Sequence, residues 1–136
     1  MTDQTPEYPL VESAADQLRA ASGRGLAEIT EQAARAGELS IADLQISAET
    51  LRAQAAIARQ AGYSQLAANL TRAAELTAVP NAEVLRLYDL LRPGRASYAQ
   101  LSALADTLEL QYHAPECARL VREAADVYRA RGLLRR

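Results

Sequence analysis

An all-α fold follows from three observations on this chain. Alanine and leucine dominate it, with 30 and 20 of 136 residues, against 4 Ile, 5 Val and no Phe or Trp. Alanine and leucine favour helix, whereas β-branched and aromatic residues favour strands. Apolar residues recur at helical spacing, as in Val84, Leu85, Tyr88 and Leu91, and no stretch alternates with the period of a strand. Proline, glycine and Ser or Asn stand where helices begin and end. The expectation is a small helical bundle with an irregular N-terminal arm. Residues 1–42 form the arm with short helices, and residues 43–136 form the helical core.

Residues 1–11 should be extended, because Pro6 and Pro9 both reject helix. A short helical pattern over 12–21 closes at Ser22-Gly23. A second, weaker one runs over 26–36, with Gly37 as its stop, and Ser40 caps a turn through Leu44. Ser47 is the N-cap of the first longer helix, with Glu49 in the turn where the helix dipole favours negative charge; Gly62 ends it in C′ style. The next helix begins near Ser64 and presents Leu66, Leu70, Ala73 and Leu76. Pro80 cannot continue it, Asn81 is a good N-cap, and a helix over 82–91 follows, stopped by Pro93. Ser97 and Gln100 make a capping box for a helix whose buried face is Leu101, Leu104, Ala105, Leu108 and Tyr112. Pro115 suits the first turn of the last helix, which Cys117, Leu120, Val121, Ala124, Ala125 and Tyr128 line and Gly132 ends.

Composition bounds the function. Leu, Ile, Val and Phe make up about 21% of the chain, near the threshold of roughly 20% where chains struggle to fold alone. Alanine forms helix readily but buries little area, so the core should be thin and a partner could complete it; a close-packed alanine bundle is the competing reading. Net charge is -2, which gives no pull towards nucleic acid or anionic membrane. All 15 basic residues are arginine, consistent with GC-rich coding or with interface ion pairs, where the planar guanidinium outperforms ammonium. A single cysteine allows no internal disulfide and points to a reducing cytoplasm. The polar start MTDQTPEYP resembles no signal peptide, and no apolar run approaches the ~20 residues of a membrane span.

Candidate chemistry is sparse, and neither catalytic, cofactor-binding nor metal-ligating residues are expected. His113 and Cys117 are four apart, but Pro115 interrupts the helix between them and a metal needs more ligands. A buried structural cysteine and a linker histidine are favoured. Glu75, Glu83, Asp89, Asp106, Glu109 and Asp126 read as solvated helix faces. Glu123 lies beside a buried face and is a candidate for a structural salt bridge with Arg72 or Arg92, between helices or between subunits. The C-terminal arginines suit a helix C-terminus better than a nucleic-acid arm. The Pro80 joint has no turn glycine, which argues against a base-reading helix-turn-helix. Tyr88 and Tyr128 are placed in the core. Leu87, Leu90 and Leu110 fall off the main stripes, so with Tyr8, Pro9 and Leu10 of the arm they are the candidate interface residues.

Several stretches carry a family resemblance. They are Ile46-Ser47 with Glu49-Thr50-Leu51 and Gln54-Ala55, the run RAAELTAVP from Arg72 to Pro80 leading to Leu91-Arg92-Pro93, and Ala103 to Asp106 with Leu108-Glu109. Val121 to Ala125 with Tyr128 and the entry Tyr8-Pro9-Leu10 complete the set. In this order and at nearly gapless spacing, strong from about Asp43 onward, they resemble the small (gamma) subunit of adenosylcobalamin-dependent diol and glycerol dehydratases. The resemblance implies a non-catalytic helical subunit packed on a TIM-barrel large subunit, with a medium subunit helping to hold the cobalamin. It implies a dimer of heterotrimers that converts 1,2-propanediol or glycerol to an aldehyde by a radical route. Adenosylcobalamin, and a monovalent or calcium ion in the large subunit, belong mainly to the other chains. Diol-type small subunits often carry a long N-terminal extension linked to microcompartments. Only seven residues precede Tyr8 here, so the expectation is a glycerol-like cytoplasmic subunit without support for microcompartment association. Phe positions of the family are Leu70 and Leu120 here, which keeps their apolar role. The alternative is a stand-alone helical adaptor or regulator with a self-sufficient core.

Overall fold

The computed structural model describes residues 6–136. Helices α1 (Leu10–Ser13), α2 (Glu31–Arg35), α3 (Ile41–Leu44), α4 (Ala48–Gln60), α5 (Ser64–Leu76), α6 (Asn81–Leu90), α7 (Tyr98–Leu110) and α8 (Pro115–Arg131) follow one another along the chain. Among the described residues there is no strand, only an isolated bridge between Arg19 and Gly25. The all-α expectation is therefore met. The chain forms two compact units, Met1–Ala74 and Glu75–Arg136, so the expected boundary after residue 42 falls inside the first of them.

The first unit is where the sequence misleads most. The helix expected over 12–21 is instead α1, which starts at Leu10 directly behind Pro9 and ends at Ser13. Pro9 takes the extended N-cap position that its ring favours, and residues 14–25 turn back so that the Ala20 N–H reaches the Arg24 carbonyl at 2.9 Å. The part of the extended arm expected over residues 1–5 lies outside the described residues. The helix expected over 26–36 is broken into a 3-10 turn at Leu26–Glu28 and α2. The break is local chemistry: the Thr30 hydroxyl accepts from the Ala33 N–H and makes Thr30 an N-cap in mid-pattern. The Gly25 N–H donates to Glu28, which closes the 3-10 turn. Asp43 does the same for α3, accepting from the Ser40 N–H at 2.6 Å. α4 begins behind Ser47 as expected, and Gly62, at φ +85°, supplies the left-handed residue that ends it. The described buried apolar residues of this unit are Leu10 and six alanines: Ala14, Ala33, Ala55, Ala58, Ala67 and Ala74.

The second unit has the real core. Leu87, Leu101, Leu104, Leu108, Val121, Cys117 and Val79 pack with Ala96, Ala105, Ala114, Ala118 and Ala125. α7 opens on the expected capping box, Ser97 accepting from the Gln100 N–H while Gln100 accepts from the Ser97 N–H. α8 opens on Pro115 and ends on left-handed Gly132, both as expected. Tyr98 meets Asp126 and Arg122 meets Asp106, so α7 and α8 run antiparallel. α6 starts at Asn81 itself, with Pro80 as its N-cap, one residue earlier than expected; Pro80 takes the extended backbone of that position without a side-chain cap hydrogen bond.

Candidate subunit interface

Several residues of the family-like stretches, Glu75, Leu91 and Tyr128 among them, are internal joints of the second unit. Glu75, in the last turn of α5, is a buried carboxylate. Its two oxygens accept from the backbone N–H groups of Glu116 (3.0 Å) and Cys117 (2.8 Å). The first N–H groups of a helix have no partner inside it, and the helix dipole makes that end positive, so a carboxylate there stabilises α8 twice over. Pro115, one residue earlier, has no N–H to satisfy. At the other end of α8, the Tyr128 hydroxyl donates to the Leu91 carbonyl at 2.6 Å, where α6 stops. The tail is tied down as well: the Gly94 N–H reaches the Leu133 carbonyl and the Arg135 N–H the Ala96 carbonyl, at 2.7 and 2.8 Å.

The α7–α8 seam is held at its rim by charge. Arg122 bridges Asp106 (2.9 Å) and Glu109 (2.6 Å), and Arg129 lies 4.3 Å over the Tyr98 ring. Glu116 and Glu123 flank Arg119 on α8. Hydrogen bonds to Asp106 and to Glu116 raise the Arg122 and Arg119 guanidinium pKa values further above their ordinary high value. Asp106 and Glu109 keep solvent access, as read from the sequence, while pairing across helices; Glu75, read from the sequence in the same way, is the one that is buried instead.

In the first unit one carboxylate organises the loops. Asp43 accepts from the Ser22 hydroxyl (2.5 Å), from the Ser40 N–H and hydroxyl, and from Arg24 Nε at 3.2 Å. The Ser22 hydroxyl and then the Ser40 N–H, by bonding the charged form, lower its pKa from 3.8 to about 2.

The expected site residues fare unevenly. Tyr8 stands 77% exposed and Leu110 equally so, while Pro9 is half-buried and Leu10 is buried. Leu87, expected on the surface, is 6% exposed and belongs to the core, and Leu90 is half-buried against it. α6 is rotated relative to the expected stripe: Leu85 and Tyr88, expected inside, are 71% and 58% exposed. The cause is the choice of neighbours, since Val84, Leu87 and Leu91 share a face at i, i+3 and i+7 that meets the core equally well. Tyr128 is half-buried against the core, in line with its expected place there. Glu123 pairs with Arg119 at 2.5 Å in its own helix and Arg92 with Asp89 at 3.9 Å, so the interhelical pairing of Glu123 with Arg92 gives way to i, i+4 and i, i+3 pairs. Arg72 hydrogen-bonds Asn69.

What the sequence reading missed is the exposed apolar surface of the first unit. Ile41, Leu44 and Ile46 at α3, and Tyr63 and Leu66 at the start of α5, are all exposed. This unit also holds two clefts. One, of 420 Å³, is lined by Leu26, Ile29, Ile46, Thr50, Leu51 and Gln54 among others; the second, of 550 Å³, by Tyr8, Gln54, Ile57, Tyr63, Leu66 and Leu70 among others. The signal was present: four apolar residues within six positions from Ile41 to Ile46 cannot all be covered by a four-residue helix.

His113 sits on the α7–α8 linker at φ +52°, and Cys117 is buried four residues on. Among the described residues no three His, Cys, Asp or Glu side chains are grouped to hold a metal ion. Nor is any helix there long and apolar enough to cross a membrane.

Comparison with known proteins supplies the class. A family model described as "Dehydratase small subunit" matches residues 3–135. The chain is 42% identical over 127 residues to the propanediol dehydratase small subunit of Citrobacter freundii, covering 93% of this chain and 74% of that protein. It is 43% identical over 122 residues to the protein of the same name from Salmonella typhimurium LT2, covering 90% and 70%. The chain belongs to the dehydratase small-subunit family. It is a helical small-subunit chain of a dehydratase, and the family's description implies further subunits.

Proposed function

We propose that this chain is the non-catalytic small subunit of an adenosylcobalamin-dependent propanediol or glycerol dehydratase, assembled with large and medium subunits as a dimer of heterotrimers. The match at 42–43% identity over 90–93% of this chain carries the reading. The placement of the chain's polar groups supports it. Glu75 is committed to capping α8, Asp43 to its serines, and Arg122 and Arg119 to helix-surface carboxylates. His113 stands on an exposed linker and Cys117 is packed in the core. In this reading the cofactor supplies radical chemistry from the other subunits, and this chain contributes surface and shape. Exposed apolar side chains on both units, Tyr8, Ile41 and Tyr63 on one and Leu85, Tyr88 and Leu110 on the other, suit a chain that works in an assembly.

The test is co-expression of the tagged chain with large and medium dehydratase subunits, followed by capture and an adenosylcobalamin-dependent aldehyde assay. Co-purification, with activity lost when this chain is omitted, is the expected result. A well-folded chain that ignores both subunits would overturn the reading in favour of a stand-alone adaptor.

A further inference from the structure

The carboxylates of the second unit are all engaged within it. Glu75 caps α8, and the other seven each meet an arginine at 2.5 to 3.9 Å. Five arginines take them up: Arg86, Arg92, Arg119, Arg122 and Arg129. The unit's four other arginines, Arg95, Arg131, Arg135 and Arg136, are exposed, and among the described residues none of them makes an ion pair. These four gather at one place. The Gly94 N–H reaches the Leu133 carbonyl and the Arg135 N–H the Ala96 carbonyl, at 2.7 and 2.8 Å, which sets Arg95 alongside the tail. Consecutive Cα atoms are about 3.8 Å apart, so the Cα atoms of Arg131 and Arg135 lie no more than about 8 Å from that of Leu133. Arg131, the last residue of α8, complements the negative end of that helix. Arg95, Arg135 and Arg136 stand outside every helix, so the helix dipole does not account for them.

We propose that this arginine cluster is a docking face for a carboxylate-rich segment of the large dehydratase subunit. The inference rests on the small-subunit reading above, in which this chain packs on the large subunit, and adds the face used. Charge selects the occupant. The carboxylates of the cluster's own unit have partners already, so the complement comes from another chain. A guanidinium takes a carboxylate through two parallel hydrogen bonds and is more weakly hydrated than an ammonium, which suits it to burial at an interface. Arg95 and Arg135 sit on backbone that the clasp already fixes, so docking has side chains alone to order there. Nucleic acid is the weaker occupant, because a net charge of -2 gives the chain no long-range pull towards a polyanion.

The experiment uses the full-length chain, with a lysine-free N-terminal tag, co-expressed with the large and medium subunits. Arg135→Glu combined with Arg136→Glu should lower capture of the large subunit by about tenfold or more at low salt, and the difference from wild type should shrink as salt is added. Far-UV circular dichroism and melting should stay at the wild-type level. Arg52→Glu combined with Arg59→Glu makes the same charge change on exposed positions of α4 and should be captured like wild type. Wild-type capture of the tail variant, or an equal loss from the α4 variant, would overturn the proposal. If the tail variant is captured normally but no longer binds a single-stranded oligonucleotide that wild type binds, the face belongs to nucleic acid and the proposal falls. Failure of the wild-type chain itself to be captured would instead overturn the small-subunit reading. A second measurement reads the contact directly. The sequence holds no lysine, so Arg135→Lys keeps the charge and introduces the chain's sole side-chain amine. In the captured complex a carbodiimide should couple position 135 to an Asp or Glu of the large subunit, located by mass spectrometry. Coupling only to the medium subunit or to a second copy of this chain, or no coupling, overturns the proposal.

Discussion

Glu75 shows how much one side chain can decide. It is the last charged residue of α5, yet both oxygens are spent on N–H groups at the start of α8, more than forty residues away in sequence. Removing a cap typically costs about 1 kcal/mol, and burying two orphaned N–H groups adds to it. Glu75→Ala should therefore destabilise the chain by roughly 2 kcal/mol in urea unfolding. Glu75→Gln, which can accept only one of the two bonds, should fall between. His113 points the other way. It holds a left-handed backbone angle that side chains other than Gly, Asn and Asp adopt at a cost of about 1 kcal/mol, so His113→Gly should raise stability by up to that amount. Asp43 makes the first unit acid-sensitive. Its folded pKa of about 2 lies below the ordinary 3.8, so its contribution is fully present above pH ~4 and is lost as pH falls towards 2. Asp43→Asn should flatten the loss of stability over that window, measured by melting at stepped pH.

At the scale of elements, legibility followed the strength of local signals. α7 and α8 were readable almost residue by residue, because the capping box at Ser97, Pro115 and Gly132 are backbone chemistry that neighbours do not override. The short helices of the arm were not. There, the Thr30 hydroxyl offered the Ala33 N–H an alternative partner and broke a pattern that periodicity alone would have continued. α6 was placed correctly but rotated. Its apolar residues Val84, Leu85, Leu87, Tyr88 and Leu91 support two overlapping stripes, and only packing chooses Leu87 over Leu85. Leu87→Ala should accordingly cost about 3 kcal/mol, whereas Leu85→Ala should change stability by less than about 0.5 kcal/mol. Of the residues named from the sequence for an interface, Tyr8 and Leu110 are exposed; the two clefts beside α4 were not legible, because its many alanines give no periodic contrast.

At the scale of the whole molecule, the apolar content is unequally shared. Leu101, Leu108 and Val121 are fully buried in the second unit, whereas the first rests on Leu10 and alanines. Local stability follows buried apolar contact, so amides of α7 and α8 should exchange with deuterium slowest and those of α1 to α3 fastest in the isolated chain. Addition of the other dehydratase subunits should slow exchange in the first unit most. Equal protection of both units in the isolated chain would argue that the alanine packing suffices by itself.

The clasp between residues 94–96 and 133–135 has a consequence for truncation. Its two backbone hydrogen bonds and Leu134 tie the segment behind α8 to the loop ahead of α7. Removal of residues 133–136 takes the partners of the Gly94 N–H and the Ala96 carbonyl and uncovers part of the core, so a chain cut behind Gly132 should melt earlier than the intact one.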